Sequence, residues 1–376
     1  FTPGDKPCVA SIKKDNKTYK IGFQILAGGG LGRTPMIGKE VFDFVERPQL
    51  LTALEAILRV FNRLGRRDNK YKARIKILVK ETGIEEFKNL VMQEWNQIKD
   101  GPLTLTDDEI TRCKNYFLEA NYEELEDHPK ILKSKLEKNL LFNAWFEQNV
   151  RQHKKAGYSI VTICFKQTGI APGDITDSQL EFVADLADKY SFGEVRITHH
   201  QNIVLADVKQ SDLPSLLQKL NSKSLSVANL GLLSDVICCP GGDFCALANA
   251  KSLPIAESIQ RKFSDEKFLR DVGELRVNIS GCMNACGHHH VGNIGILGVD
   301  KKGEEFYQIS LGGSSKNKAS IGKIIGPAFS EQEIPETIDK IINIYRASRN
   351  KGETFIETYN RIGLEPFKEY VYAKPD

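Results

Sequence analysis

An α+β fold with an internal pseudo-repeat is predicted by three features of the 376-residue sequence. Residues from Tyr158 to Leu220 read as strand, helix, strand, strand, helix, an order that packs helices on one face of a sheet. A strand pair opens the chain and is followed by about a hundred residues of charged, helix-periodic sequence. Phe23-Gln-Ile-Leu-Ala-Gly-Gly29 returns as Tyr307-Gln-Ile-Ser-Leu-Gly-Gly313, and each copy is followed by a Gly-Lys pair, Gly38-Lys39 and Gly322-Lys323.

The elements follow in order. Residues 7–14 and 18–27 predict a hairpin around Asp15-Asn16-Lys17, and the second strand runs into Gly28–Gly32. Apolar residues recur at helical spacing from Gln49 to Trp95, as in Leu50, Leu54, Ile57 and Phe61; the basic segment from Arg66 to Lys76 is placed on that helical stretch. Residues 100–150 are charged and read as a helical connection. Strands at Tyr158–Lys166, Glu194–Thr198 and Ile203–Val208, with helices at Asp177–Tyr190 (capped by Thr176 or Asp177) and Leu213–Leu220, make a ferredoxin-like half-unit over 151–225. A third unit over 226–376 has strands near Arg276–Ser280, Ile294–Val299 and Phe306–Leu311 and a helix near Ile338–Ser348. Residues 1–50 are then the remnant of a first repeat and 51–150 the connection. Because the second copy of the repeated motif has some 150 residues of its own unit before it, the chain reads as a fragment of a duplicated protein.

Composition narrows the function. Hydrophobic residues make up 41% and charged residues 27%, with a formal charge of +3, which suits a globular protein and argues against nucleic acid as a partner. No apolar run is long enough for a membrane helix. The eight cysteines are uneven: Cys8, Cys113 and Cys164 are isolated, whereas Cys238, Cys239, Cys245, Cys282 and Cys286 crowd together. Clustering in a large helix-rich chain points to metal in a reducing, cytoplasmic compartment rather than to a secreted disulfide framework. Cys164, inside an apolar run, reads as buried and inert.

The crowded segment gives one pair at C-x5-C, Cys239 and Cys245, and one at C-x3-C, Cys282 and Cys286. A 4Fe–4S cube asks for four thiolates from separate loops, and Gly241, Gly242, Gly281 and Gly287 allow the tight bends and bare amides that such loops need. Structural zinc favours C-x2-C or C-x4-C knuckles, and a redox disulfide favours C-x-x-C; neither spacing occurs here. Cys238 leaves a C-x6-C alternative open. A helix expected over Phe244–Ile259, interrupted by Pro254, would direct its positive end at the anionic centre. His288-His289-His290 and His199-His200 cannot each converge on one ion and read as pocket donors or packed rings. Gly28–Gly32 lacks the register of a nucleotide loop.

These motifs resemble the sulfite and nitrite reductase haemoproteins of the assimilatory type, over nearly the whole chain. The resemblance is carried by Cys239–Ala248, Ser280–Asp300, Gln24–Gly32 and Arg196-Ile-Thr-His-His-Gln-Asn202, which matches the family's Arg-x-Thr-x-x-Gln-Asn pattern. It implies sirohaem coupled to a 4Fe–4S cluster held by Cys239, Cys245, Cys282 and Cys286, and it selects Cys239 over Cys238. Cys286 would also bridge to the sirohaem iron and so take the catalytic role, with Asn284 beside it among the cofactor-binding residues. Sulfite would be reduced to sulfide, or nitrite to ammonia, by six electrons arriving singly from a ferredoxin or a flavoprotein subunit, with protons from nearby Arg and Lys.

The chain also departs from the family pattern. The cationic residues that grip the anion in the family lie mostly upstream of the stretch matching Phe1. Arg67, Arg74 and Lys76 are the local candidates for the carboxylates of sirohaem, against the alternative of a solvated helix face. Arg196 and Asn202 read as a vestigial copy of a pocket motif. The rival functions are a pure iron–sulfur electron carrier and a zinc-stabilised domain.

Overall fold

The computed structural model describes residues 10–15, 18–117 and 119–373; Cys8 and the Asn16-Lys17 turn lie outside the described residues. Two compact units are present, Phe1–Asn121 and Tyr122–Asp376.

In the first unit β1 (Ala10–Asp15), β2 (Thr18–Ala27) and β3 (Lys39–Glu46) form an antiparallel meander. Helices α1 (Leu50–Leu64), α2 (Ile75–Thr82), α3 (Ile84–Ile98) and α4 (Asp107–Lys114) follow. Alternation along β3 turns Val41 and Val45 inward, and the helical period of α1 aligns Ala53, Ala56, Ile57 and Val60 against them. Phe42 meets Trp95 edge-on at 5.1 Å, and the Trp95 indole N–H donates to Thr52 Oγ1 at 3.1 Å.

The expected helical run to Trp95 is broken, and the basic segment sits in the break from Arg66 to Arg74, with Lys76 on α2. Gly65 leaves the helix in an extended conformation, Arg66 folds back on Asp68 at 2.6 and 2.5 Å, and Asn69 Oδ1 accepts the Tyr71 amide at 2.9 Å. Short polar side chains that capture local backbone groups compete with helix here.

The second unit opens with α5 (Lys130–Lys138), α6 (Leu140–Asn149), β4 (Val150–Gln152) and β5 (Tyr158–Ile163). It continues with α7 (Asp177–Tyr190), β6 (Arg196–Ile197), β7 (Ile203–Lys209) and α8 (Leu213–Ser222). The antiparallel sheet runs β4-β5-β7-β6, and α5 and α6 share its core through Leu132, Phe142 and Trp145. Thr176 is the α7 cap: its Oγ1 accepts the Gln179 amide at 3.2 Å, and Gln179 Oε1 accepts the Thr176 amide at 3.1 Å. Thr176→Ala is expected to lower stability by about 1 kcal/mol in chemical denaturation, since one capping side chain is lost. The strand expected at Glu194–Thr198 shrinks to two residues. Thr198 and Asn202 close a turn, N to O at 2.9 Å, around Gln201 at φ +59°.

Downstream lie β8 (Ile237–Cys238), α9 (Leu253–Lys262), α10 (Glu266–Val272), β9 (Val277–Ser280), β10 (Ile294–Lys301), β11 (Glu304–Leu311) and β12 (Lys323–Ile324). Helices α11 (Ile334–Ser348), α12 (Phe355–Ile362) and α13 (Glu365–Tyr372) complete the unit. The sheet order is β12-β11-β10-β9-β8, with β9 parallel to both β8 and β10.

The repeat extends well beyond its sequence motif. After β2 a loop closes by the Gly30–Met36 bridge, and after β11 one closes by Ser314–Ser320. Each is followed by a strand, a 3-10 turn and a 15-residue helix, α1 or α11, and then by an eight-residue helix, α2 or α12, and a further helix, α3 or α13.

Candidate functional site

Strands β8 and β9 lie side by side and parallel, so both ligand pairs leave the same end of the sheet. Ile237 pairs with Asn278 and Cys238 with Ile279, and the next residue's amide, that of Cys239, donates to Ile279 O at 3.1 Å. Alternation sends the two adjacent thiols to opposite faces. Cys238 is 2% exposed and packs in the core with Val277, Ile279 and Ile296; burial pushes its thiol well above the ordinary range. Cys239 turns the other way, where the Gly281 N–H donates to its sulfur at 3.1 Å and Ser252 Oγ lies at 3.6 Å.

Gly281 is the pivot of the site. Its amide faces the Cys239 sulfur, and its carbonyl accepts from Asn249 and Ala250 at 2.8 and 3.1 Å, which folds the Cys245 loop onto the Cys282 loop. A Cβ at Gly281 would stand 2.6 Å from Ala250 O, and one at Gly287 would stand 1.8 Å from Ile279 O. The Cys286 loop is bent by two residues with positive φ, Ala285 at +59° and His288 at +56°. The Gly287 N–H donates to Ser280 Oγ at 3.1 Å and Asn278 Nδ2 to Gly287 O at 2.8 Å, pinning the loop to β9.

The four thiols share one neighbourhood. Cys282 is buried, Cys239 and Cys245 are half-buried and Cys286 is exposed. Burial raises the Cys286 pKa, and the nearby Cys239, Cys282 and Cys245 raise it further, since crowding negative sulfurs disfavours each thiolate. Among the described residues there is no disulfide, and no three His, Cys, Asp or Glu side chains could hold a single metal ion. Four thiols that share one neighbourhood suit a polynuclear thiolate-bound centre, and the Gly281 N–H aimed at the Cys239 sulfur suits it too. The donor set therefore fits a 4Fe–4S cube. Phe244, Leu247 and Met283 are exposed on the same cysteine loops as the open Cys286 sulfur, an apolar fringe suited to the flat face of a macrocycle.

The helix expected over Phe244–Ile259 begins only at Leu253, with Pro254 in its first turn, where a missing N–H does no harm. Residues 244–252 are instead held as loop by the Gly281 carbonyl. The helix N-terminus still approaches the site, through its N-cap Ser252 against Cys239. Nothing in the cysteine spacing pointed to Ser252.

Of the other predicted residues, Asn284 is exposed between Met283 and Ala285. His289 is 2% exposed, both ring nitrogens lack a hydrogen-bond partner, and burial with the neighbouring His290 and His288 lowers its pKa to about 3. Arg67, Arg74 and Lys76 belong to the first unit. Arg67 is held by Asn62 Oδ1 at 3.2 Å over the Phe61 ring and Arg74 by Ala73 O at 2.8 Å, so both exposed guanidinium groups rest on neutral oxygens. Lys76 Nζ donates to Leu31 O and Thr34 O, each at 2.8 Å, and so ties the glycine-rich loop. Arg196 is exposed and ion-paired with Glu194.

His200 Nε2 accepts from Arg276 at 3.1 Å, and burial followed by that cation lowers its pKa to about 3. The ring is neutral in the fold and takes a proton more readily when unfolded. Stability is therefore complete above about pH 6.5 and falls as pH drops toward 3. Between pH 7 and 5 the loss from this group is expected to be about 1–2 kcal/mol in urea denaturation, and His200→Gln should flatten that slope.

Comparison with known proteins turns this geometry into a family. Residues 9–99 and 232–375 match the nitrite and sulphite reductase 4Fe–4S domain, and 150–223 match the nitrite/sulfite reductase ferredoxin-like half domain. The chain belongs to the nitrite and sulphite reductase family. Its 4Fe–4S domain is matched in two stretches, which agrees with the repeat in the fold. The chain is 26% identical over 361 residues to sulfite reductase (ferredoxin) 1 of Mycolicibacterium paratuberculosis, covering 92% of this chain and 57% of that one. It is 25% identical over 359 residues to the assimilatory ferredoxin-dependent nitrite reductase of Haloferax mediterranei, covering 93% and 56%. The structure of the Mycobacterium tuberculosis NirA protein shares the fold, with a TM-score of 0.66 at 23% identity over 92% of this chain and 58% of that one. The chain thus spans a little over half the length of these relatives. Among the described residues no helix is long and apolar enough to cross a membrane.

Proposed function

We propose that this chain supplies the cluster-holding part of a sirohaem-dependent reductase that converts sulfite to sulfide with six electrons. The observation that carries the proposal is the convergence of Cys239, Cys245, Cys282 and Cys286 on one neighbourhood from loops at one end of the β8–β9 pair. When bound, the cluster and sirohaem would supply one-electron transfer to the anion.

The chain's own residues prepare that chemistry. Cys239, Cys245 and Cys282 hold the cluster from the covered side, and the Gly281 N–H stabilises the charge on the Cys239 sulfur. Cys286, the most open of the four, would be the thiolate that holds the cluster on the side facing the sirohaem. Asn284 and the apolar Phe244, Leu247 and Met283 border the macrocycle. In the first unit, Arg67 and Arg74, whose guanidinium groups rest on neutral oxygens, are proposed as carboxylate-binding cations, and Lys76 ties the glycine-rich loop of that unit.

Nitrite is the second reading for the same centre, favoured by the likeness to the haloarchaeal nitrite reductase. The donor we propose is a ferredoxin, which the matched relatives are named for; a flavoprotein subunit is the alternative. The visible spectrum of the anaerobically reconstituted chain, with iron and acid-labile sulfide measured, tests the proposal. A Soret-type band with a red band, and iron beyond the four of the cluster, is the expected result. An iron–sulfur shoulder alone would reduce this chain to an electron carrier, and zinc without sulfide would overturn the proposal.

A further inference from the structure

We infer that Gln201 is a positioning residue for Cys239, clasping the strand that delivers its thiolate; the inference rests on the proposed role of Cys239 as a cluster ligand. Strand β8 has only two residues and forms the edge of its sheet. Its inner side is paired with β9, which leaves the Cys238 backbone facing outward. The Gln201 side chain takes up both of those groups: Nε2 donates to Cys238 O at 2.8 Å, and Oε1 accepts from Cys238 N at 3.0 Å. One amide thus does what a further strand would do, at the residue next to the ligand.

Gln201 is itself fixed for this task. It sits at φ +59°, an unfavourable region for a side chain of this size, and strain of this kind persists where surrounding contacts over-determine it. Its amide donates to Thr198 O at 3.1 Å, and Gly173 leaves room for its stem, since a Cβ there would come within 2.8 Å of Gln201 Cβ. The next residue, Asn202, is 1% exposed and grips the same strand further back, with Nδ2 donating to Asp235 Oδ1 at 3.3 Å. Asn202 Oδ1 accepts the Phe165 amide at 3.2 Å. Two successive side chains of the Arg-x-Thr-x-x-Gln-Asn motif therefore anchor residues 235–238, so in this copy the motif is a clasp rather than a disused pocket.

The test uses the full chain reconstituted anaerobically with iron and sulfide. Gln201→Met keeps the side-chain length and removes both hydrogen bonds. Iron release to a chelator is expected to be about tenfold faster than in the unaltered chain, and the EPR g values of the reduced cluster to shift. In the metal-free chain, amide hydrogen exchange at Cys238 should quicken by about the same factor. Val183→Ala, in the core of the neighbouring sheet, should lower the melting temperature without either change. Equal iron release in the Gln201→Met and Val183→Ala chains, or unchanged exchange at Cys238, would overturn the clasp. Should Gln201→Met not fold, Gln201→Glu, which keeps the acceptor and loses the donor, is read the same way. Cys239→Ser separates the two levels: full iron retention there sinks the ligand assignment, whereas loss of iron there with no effect at Gln201 sinks only the clasp.

Discussion

The reconstituted Cys282→Ser chain is expected to retain less than about a tenth of the iron and acid-labile sulfide of the unaltered chain, while Cys238→Ala retains nearly all of it. A cube with one corner unligated by thiolate is exposed to solvent and hydrolysis, and a serine hydroxyl is a harder and far more basic donor than a thiol. Cys238 is the control because its chemistry is the same and its geometry is not. It lies one residue from Cys239, but the strand turns it into the apolar core. Removing its sulfur should lower stability by about 1 kcal/mol for the small cavity left behind. Iron analysis and the 400-nm region of the spectrum (about that wavelength for iron–sulfur charge transfer) check both outcomes, and equal losses from the two variants would refute the ligand set.

The second large effect lies at Lys166, whose side chain is wholly buried. Its ammonium donates to His200 O at 2.6 Å and stands 3.5 Å from Asp235 Oδ1, which also receives Asn202 Nδ2 at 3.3 Å. Lys166→Met leaves the Asp235 carboxylate in a site with too few donors; the Gly231 amide at 2.9 Å still serves the other oxygen. Breaking a buried pair from one side costs about 3–5 kcal/mol. In a chain of this size that corresponds to a fall in melting temperature of roughly 4–6 °C. Adding Asp235→Asn should recover much of the loss, because it removes the stranded charge rather than restoring the pair. A double variant no more stable than the single one would mean that Lys166 acts through packing alone.

Lys166 also shows where reading the sequence stops. The strand expected to run to Lys166 ends at Ile163, and the burial of Lys166 depends on Asp235 and on the His200 and Gln201 carbonyls, which are brought in by turns that no periodicity announces. The α7 boundaries were legible because capping chemistry is local: Thr176 and Gln179 mark the start in the sequence itself. The convergence of the two cysteine pairs was legible because their spacing is short and the residues between them turn tightly. The helix over Phe244–Ile259 was misplaced because Asn249 and Ala250 in its first half are held by the carbonyl of Gly281, which follows β9 some thirty residues later. Likewise the basic segment was put on a helix because the Asp68 and Asn69 side chains, which divert the backbone, count for little in an apolar pattern. Gln201 was quoted as part of a motif, but its task depends on the edge of a strand that the sequence did not reveal.

The parallel pairing of β8 and β9 also sets an order of events. The two ligand pairs belong to the ends of a crossover that includes α9 and α10, so they meet only after the chain between them has docked on the sheet. A zinc finger gathers its ligands by closing a short loop and draws its folding free energy from the metal. Here the apolar core beneath the strands, with Ile279, Ile296, Tyr307 and Ile309 fully buried, already holds the crossover in place. Cluster assembly is then a late step on a folded scaffold. Removing the iron with a chelator should therefore leave the far-UV circular dichroism of the chain nearly unchanged.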